Sequence, residues 1–327
     1  MISQTPTSMP DRSITRVSLQ AVVPIQLSGK RLDQAAAQLF PDYSRARLQQ
    51  WIRNGDLLVN GKAGGVSDKV FTGDNLAVEA ELQASEDWSA ESMTLDIVYE
   101  DEDLLIVNKP AGTVVHPAAG HRAGTLLNGL LHHCARLEEI PRAGIVHRLD
   151  KDTTGLMAVA KTLPAHLALV KQLQARNVTR EYRAIVQGVV TSGGVVNAPL
   201  SRHPVHRKKR AVVEGGKEAV TRYRVLQNFR AHSLLQLNLE TGRTHQIRVH
   251  MSYLKQPIVG DPVYGRLQVP RRCSDQLAGT LRSFRRQALH ARRIGLVHPR
   301  SGQSMSWEVD MPEDMQCLAD ALQADMV

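Results

Sequence analysis

AGIVHRLDKDTTGLMAVAK, residues 143–161, is the stretch on which the reading of the fold turns. Two apolar runs, residues 144–146 and 156–160, flank the polar, glycine-closed segment HRLDKDTTG. Short apolar runs bounded by turn residues read as buried strands, so HRLDKDTTG reads as a loop held between two strands. A carboxylate on such a loop is aimed by rigid neighbours, as chemistry at a fixed distance requires. Taken alone, the segment also fits, and more commonly, a charged turn with Asx-type hydrogen bonds.

Working outward, the chain is rich in strands. DIVYEDEDLLIVNKP (96–110) reads as two strands around an acidic turn, and EYRAIVQG (181–188) and AVTRYRVL (219–226) are strand-like. LLQLNLET (234–241) alternates, with Leu235, Leu237 and Leu239 on one face. Helical patterns occur at GTLLNGLLHH (124–133) and PAHLALVKQLQAR (164–176). This order lacks the regular alternation of a doubly wound sheet. The expectation over residues 93–327 is an α+β domain with a mixed, largely antiparallel sheet.

A smaller α/β unit precedes it over residues 29–80. RLDQAAAQLF places Leu32, Ala35, Ala36 and Leu39 on one helical face and stops at Pro41. Ser44 reads as the N-cap of SRARLQQWIRNG, whose apolar face is Leu48, Trp51 and Ile52 and whose stop is Asn54-Gly55. Asn60-Gly61 signals a hairpin, and a strand follows at residues 75–79. Residues 1–28 read as a mobile tail, with no apolar centre of a signal peptide in the first twenty, and the acidic, aperiodic residues 81–92 read as a linker.

The 327 residues suit two domains, and no apolar run reaches the roughly 18 residues of a membrane span. The net charge of +9 with a pI near 9.7 points to a polyanionic partner. RHPVHRKKR, residues 202–210, holds five cations and no acid, and residues 266–293 hold eight arginines against Asp275 alone. Cys134, Cys273 and Cys317 form no CxxC pair, which fits a reducing compartment and a cytoplasmic protein. Metal chemistry finds no support. His132, His133 and Cys134 are consecutive and diverge, while His245 and His250, five apart, separate by roughly 140° on a helix and face opposite sides of a strand. His147 reads as an organiser of its loop.

HRLDKDTTG resembles the catalytic loop of the RluA-type pseudouridine synthases, HRLDxxTSG, with Thr154 keeping the hydroxyl of the usual serine. EYRAIVQG is similar to the family's second motif, LETGRTHQIRVHM (239–251) to its third, and VYEDEDLLIVNKPAGTVVHP (98–117) and PIVGDPVYG (257–265) to further segments. The first unit resembles the RNA-binding module named after ribosomal small-subunit protein four. PRAGIVHRLDKDTTGL and LSRHP place the chain nearest the members that act on large-subunit ribosomal RNA. The resemblance implies a cofactor-free isomerase with Asp150, Tyr182 and Arg248 at its centre. It further implies that Arg148 fills the space vacated by a flipped base, and that the partner is a structured stem-loop of that RNA or the assembling subunit. Arg45, Arg47, Arg53 and Lys62 of the first unit, and Arg207 and Lys208 of the basic block, become candidate RNA contacts; a solvated helix face explains the first four individually almost as well. Nothing signals oligomerisation, so a monomer is expected. Two rivals remain open: a non-catalytic RNA-binding or ribosome-assembly protein on a synthase scaffold, and a hydrolase acting beside a sugar. The intact trio of Asp150, Tyr182 and Arg248 opposes the first, and the lack of an evident partner acid or metal opposes the second.

Overall fold

The computed structural model describes residues 15–41, 43, 45–82, 88–117, 123–206 and 209–326, with the backbone alone at 15, 16, 46, 81 and 82. The chain divides into two compact units, Met1–Asp87 and Trp88–Val327.

The first unit contains β1 (Thr15–Val22), α1 (Leu32–Leu39), α2 (Arg45–Asn54), β2 (Leu57–Val59), β3 (Lys62–Ala63) and β4 (Asn75–Leu82). Its antiparallel sheet has the order β1-β4-β2-β3. Both helices bury their expected faces: Leu32, Ala35 and Ala36 from α1, and Leu48, Trp51 and Ile52 from α2. Asn60 and Gly61, both with positive φ, make the β2–β3 turn, a backbone that Asn-Gly tolerates best. The Ser44 cap lies outside the described residues.

Part of the expected tail is a strand. β1 pairs with β4 along its whole length, Val17 is buried, and Leu19 and Ala21 pack on the same core. The alternation of Val17, Leu19 and Ala21 with Ser18 and Gln20 is the half-buried strand pattern, completed by a partner some sixty residues away. The linker also changes. Glu81 and Leu82 belong to β4, 83–87 lie outside the described residues, and residues 88–92 are anchored on the second unit. There Asn128 holds Ser89 and Glu91 by backbone-directed hydrogen bonds, and the Glu91 carboxylate accepts from the Gly124 amide.

In the second unit, in chain order, stand β5 (Ile97–Glu100), β6 (Leu104–Lys109), α3 (Leu126–His133), β7 (Thr154–Ala160), α4 (Leu163–Gln174), β8 (Thr179–Gln187), β9 (Gly194–Asn197), β10 (Leu200–Arg202) and β11 (Arg210–Val212). They are followed by β12 (Val220–Asn228), β13 (His232–Leu239), α5 (Gln246–Tyr253), α6 (Asp275–Ser283), β14 (Leu289–Val297), β15 (Ser304–Glu308) and α7 (Glu313–Ala324). The main sheet runs β5-β6-β7-β14-β8-β13-β12-β9, with β15 on β14 and β10-β11 as a separate ribbon. Within it β7 and β14 run parallel and the other pairs antiparallel, so the sheet is mixed and largely antiparallel, as expected. β7 is buried along its length, near the middle of the sheet.

One feature of the decisive stretch differs from expectation. β7 takes in the last two residues of HRLDKDTTG and runs on from there, but upstream there is only an isolated bridge, Ile145 to Val159. The chain approaches through consecutive left-handed residues, Arg142, Ala143 and Gly144, and crosses so near β7 that a Cβ on Gly144 would sit 1.9 Å from the Ala160 carbonyl oxygen. That crossing leaves no length for a strand.

Candidate active site

Each carbonyl at the tip of the loop before β7 has a donor. Asp150 O accepts from the Thr153 amide, Lys151 O from Lys109 Nζ at 2.8 Å, and Asp152 O from Arg286 Nη1 at 3.3 Å. Gln287 donates to Thr153 Oγ1, and His147 Nε2 accepts from the Ala158 amide. Lys109 is 1 % exposed and also donates to the Pro110 and Thr113 carbonyls. Burial takes its pKa down to about 8, opposed by the charges of Asp152 and Asp150. Gly155 closes the loop where β7 meets β14, and a Cβ there would lie 2.2 Å from Ala291 O. Only glycine lets the two strands approach so closely.

Asp150 is thereby presented to α5. Arg248 Nη1 donates to Asp150 Oδ2 at 2.9 Å, while its Nε and Nη2 donate to the two oxygens of Asp261 at 2.7 and 2.9 Å. Asp261 also accepts from the amides of Val263 and Tyr264, and the Tyr264 ring lies 5.1 Å below the guanidinium. Burial alone would raise the Asp261 pKa, but the bonds and charge of Arg248 hold it below the usual value. Arg248 is itself raised: burial opposes its charge, yet the two carboxylates outweigh that. His245, left-handed at φ 58°, starts α5 with Nε2 3.8 Å from Asp150 and Nδ1 2.8 Å from the Tyr264 hydroxyl. A non-glycine residue in that conformation is uncommon and stands where helix and loop must meet.

These groups line a cavity of about 810 Å³ that also receives Tyr182 from β8 and Arg148 from the loop. Tyr182 is buried, and desolvation raises its phenol pKa. Arg148 is exposed and makes no hydrogen bond or ion pair among the described residues. Arg142, Arg176, Arg180 and Arg243 add positive charge to the walls. Asp150, Tyr182, Arg248 and Arg148 thus come together. In the first unit Arg45 is bound to the buried Asp33 at 2.6 Å, and Arg53 and Lys62 are exposed. Arg47 lies on α2, and Arg207 and Lys208 are outside the described residues. Among the described residues no group of three His, Cys, Asp or Glu converges as a metal site, and no helix is long and apolar enough to cross a membrane.

Residues 103–253 match the sequence profile of the family described as RNA pseudouridylate synthase. The ribosomal large subunit pseudouridine synthase D of Pseudomonas aeruginosa is 58 % identical over 306 residues, covering 93 % of this chain and 96 % of the relative. The chain belongs to the RNA pseudouridylate synthase family. The corresponding synthase D of Escherichia coli is 52 % identical over 312 residues, 95 % of this chain and 96 % of the relative. Human RNA pseudouridylate synthase domain containing 4 superposes with a TM-score of 0.54 at 27 % identity, over 69 % of this chain and 92 % of that one. Human RNA pseudouridylate synthase domain containing 1, at 24 % identity and a TM-score of 0.52, shares the fold over 71 % of this chain and 95 % of its own. Residues 30–75 match the S4 domain. The protein is therefore a pseudouridine synthase, an isomerase, with an S4 domain at its N-terminal side.

Several supports of the synthase site escape a reading by residue type. Lys109 and Asp261 lie in segments that the family resemblance marks, but nothing local shows what they hold. A lysine ending the strand LLIVNK, after four apolar residues and Asn108, is the one visible cue. His290 also belongs here: 1 % exposed, its Nε2 faces the Val309 carbonyl and must carry the proton, so Nδ1 accepts from Thr154 Oγ1. The ring is neutral, and burial takes its pKa down from 6.5 to about 4. His147, likewise an acceptor, is taken down to about 3 by burial. Depressed histidine pKa values make the unfolded chain bind more protons, so their stabilisation is complete above pH 6.5 and is lost as pH falls through about 4. Urea unfolding at pH 7 and pH 5 should show the loss, and His290→Gln should flatten the difference; an unchanged slope would show that His290 is protonated in the fold.

Proposed function

We propose that this synthase converts selected uridines of large-subunit ribosomal RNA to pseudouridine, with Asp150 as the essential carboxylate and no cofactor. The observation that carries the reading is the placement of Asp150, gripped at 2.9 Å by Arg248, in a cavity shared with Tyr182. Uridine and pseudouridine differ in which uracil atom bonds the anomeric carbon. The enzyme must break a C–N bond, turn the ring in place, form a C–C bond and remove the proton from carbon 5. None of these steps changes the net redox state or transfers a phosphoryl group. A carboxylate serves either as nucleophile at the anomeric carbon or as the base that opens elimination, and both routes use the same ionised oxygen. Arg248 fixes the carboxylate's direction. Tyr182 offers a face for the uracil and a group to help take up the carbon 5 proton.

A base in a helix must leave its stack to reach Asp150, and the exposed Arg148 fills the space it leaves. Arg45, Arg47, Arg53 and Lys62 of the S4 domain, with Arg207 and Lys208 of the basic block, contact phosphates of the stem-loop. The synthase acts as a cytoplasmic monomer on free RNA or on assembling subunits. The names of the 58 % and 52 % identical relatives support the choice of substrate. Mapping pseudouridines in the ribosomal RNA of cells lacking this protein tests it. Specific large-subunit positions should revert to uridine and return on complementation with the wild-type gene. An unchanged map in the large-subunit RNA would overturn the substrate.

A further inference from the structure

Arg180 differs from the other buried arginines of the site in having no carboxylate partner among the described residues. It is 9 % exposed, lines the cavity, and stands two residues before Tyr182 on β8, hence on the same face of the strand. Its Nη2 makes two long contacts, each 3.4 Å, with the carbonyls of Leu239 and Glu240, while its Nε is buried without an acceptor. The adjacent acid, Glu181, lies on the opposite face and is engaged by Arg183 at 2.6 Å and Arg292 at 3.8 Å. By contrast, Arg248 and Arg286 each donate two hydrogen bonds to one carboxylate. A Cβ on Gly242 would sit 2.7 Å from Arg180 Nη1, so the guanidinium fits at this place only because residue 242 is glycine.

Burial lowers the Arg180 pKa, with no carboxylate to oppose it. Arginine nevertheless keeps its charge in proteins. A desolvated cation with only weak neutral acceptors is incompletely compensated and suits an anion brought by the ligand. RNA brings one such group per nucleotide, the phosphodiester. We propose that Arg180 binds a non-bridging phosphate oxygen immediately 5′ or 3′ of the target uridine. The contact holds the ribose over Asp150 while the freed uracil turns, making Arg180 a positioning residue beside Tyr182. This rests on the reading that an RNA uridine enters this cavity.

The test uses an RNA that the wild-type protein converts, so that a failure of the substrate reading appears separately as absence of pseudouridine. One neutral methylphosphonate replaces the phosphodiester 5′ or 3′ of the target. Wild type should lose about tenfold or more in kcat/KM at one of the two linkages, the loss of a charge-assisted hydrogen bond. Arg180→Met should show a similar loss on unmodified RNA and no further loss at that linkage, with Arg180→Lys in between. Arg180→Met should melt no lower than wild type, because it removes an uncompensated buried charge. Wild type indifferent to both linkages, or Arg180→Met as sensitive as wild type, overturns the proposal. Melting temperatures that collapse in both the Met and Lys variants also overturn it, assigning Arg180 to the Leu239 and Glu240 carbonyls.

Discussion

Replacing Asp261 by alanine is expected to lower the stability of the synthase by about 3–5 kcal/mol and to slow pseudouridine formation about tenfold or more. Asp261 is 4 % exposed and Arg248 5 %, so removing the carboxylate leaves a guanidinium out of water with Asp150 as its one carboxylate. The amides of Val263 and Tyr264 lose their acceptor in the same step. Arg248 would then be free to turn Nε and Nη2 towards Asp150, and a carboxylate bound through both oxygens is a poorer nucleophile and base. Asp261→Asn keeps an oxygen for the amides and loses the charge, so it should fall between alanine and wild type on both scales. Urea unfolding with initial-rate measurements separates the effects. Wild-type stability in the alanine variant would show that the Arg248–Asp261 pair is not an anchor of the site.

The polar trio was legible because its motifs are local. HRLDKDTTG, EYRAIVQG and LETGRTHQIRVHM each carry one candidate, and the fold brings Asp150, Tyr182 and Arg248 to one cavity. The strand face of Leu235 and Leu237 and the helix faces of Leu48 and Trp51 were legible too, since burial repeats with the period of the element. What escaped depends on distant partners. β1 needs β4, Lys109 needs the Lys151 carbonyl, and His290 needs Thr154, contacts that no window of sequence contains. The apolar residues 144–146 signalled burial correctly, but apolar character does not distinguish a paired strand from a chain that crosses one. The left-handed run at Arg142 and Ala143 had no cue, because neither residue type favours that conformation.

The central claim is that Asp150 is the group without which uridine cannot be isomerised. Asp150→Asn keeps the size of the side chain and an acceptor for Arg248, and every hydrogen bond to the loop carbonyls is left in place. Folding should therefore survive. RNA affinity should survive as well, because it comes mainly from distributed phosphate contacts. An amide is neither a competent nucleophile here nor a useful base. Pseudouridine formation must remove the hydrogen on carbon 5, so ribosomal RNA made with 5-tritiated uridine reports the reaction as tritium released to water. Wild type should release tritium in step with pseudouridine formed, and Asp150→Asn should release none above background while binding the RNA comparably. Full tritium release by Asp150→Asn would contradict the account.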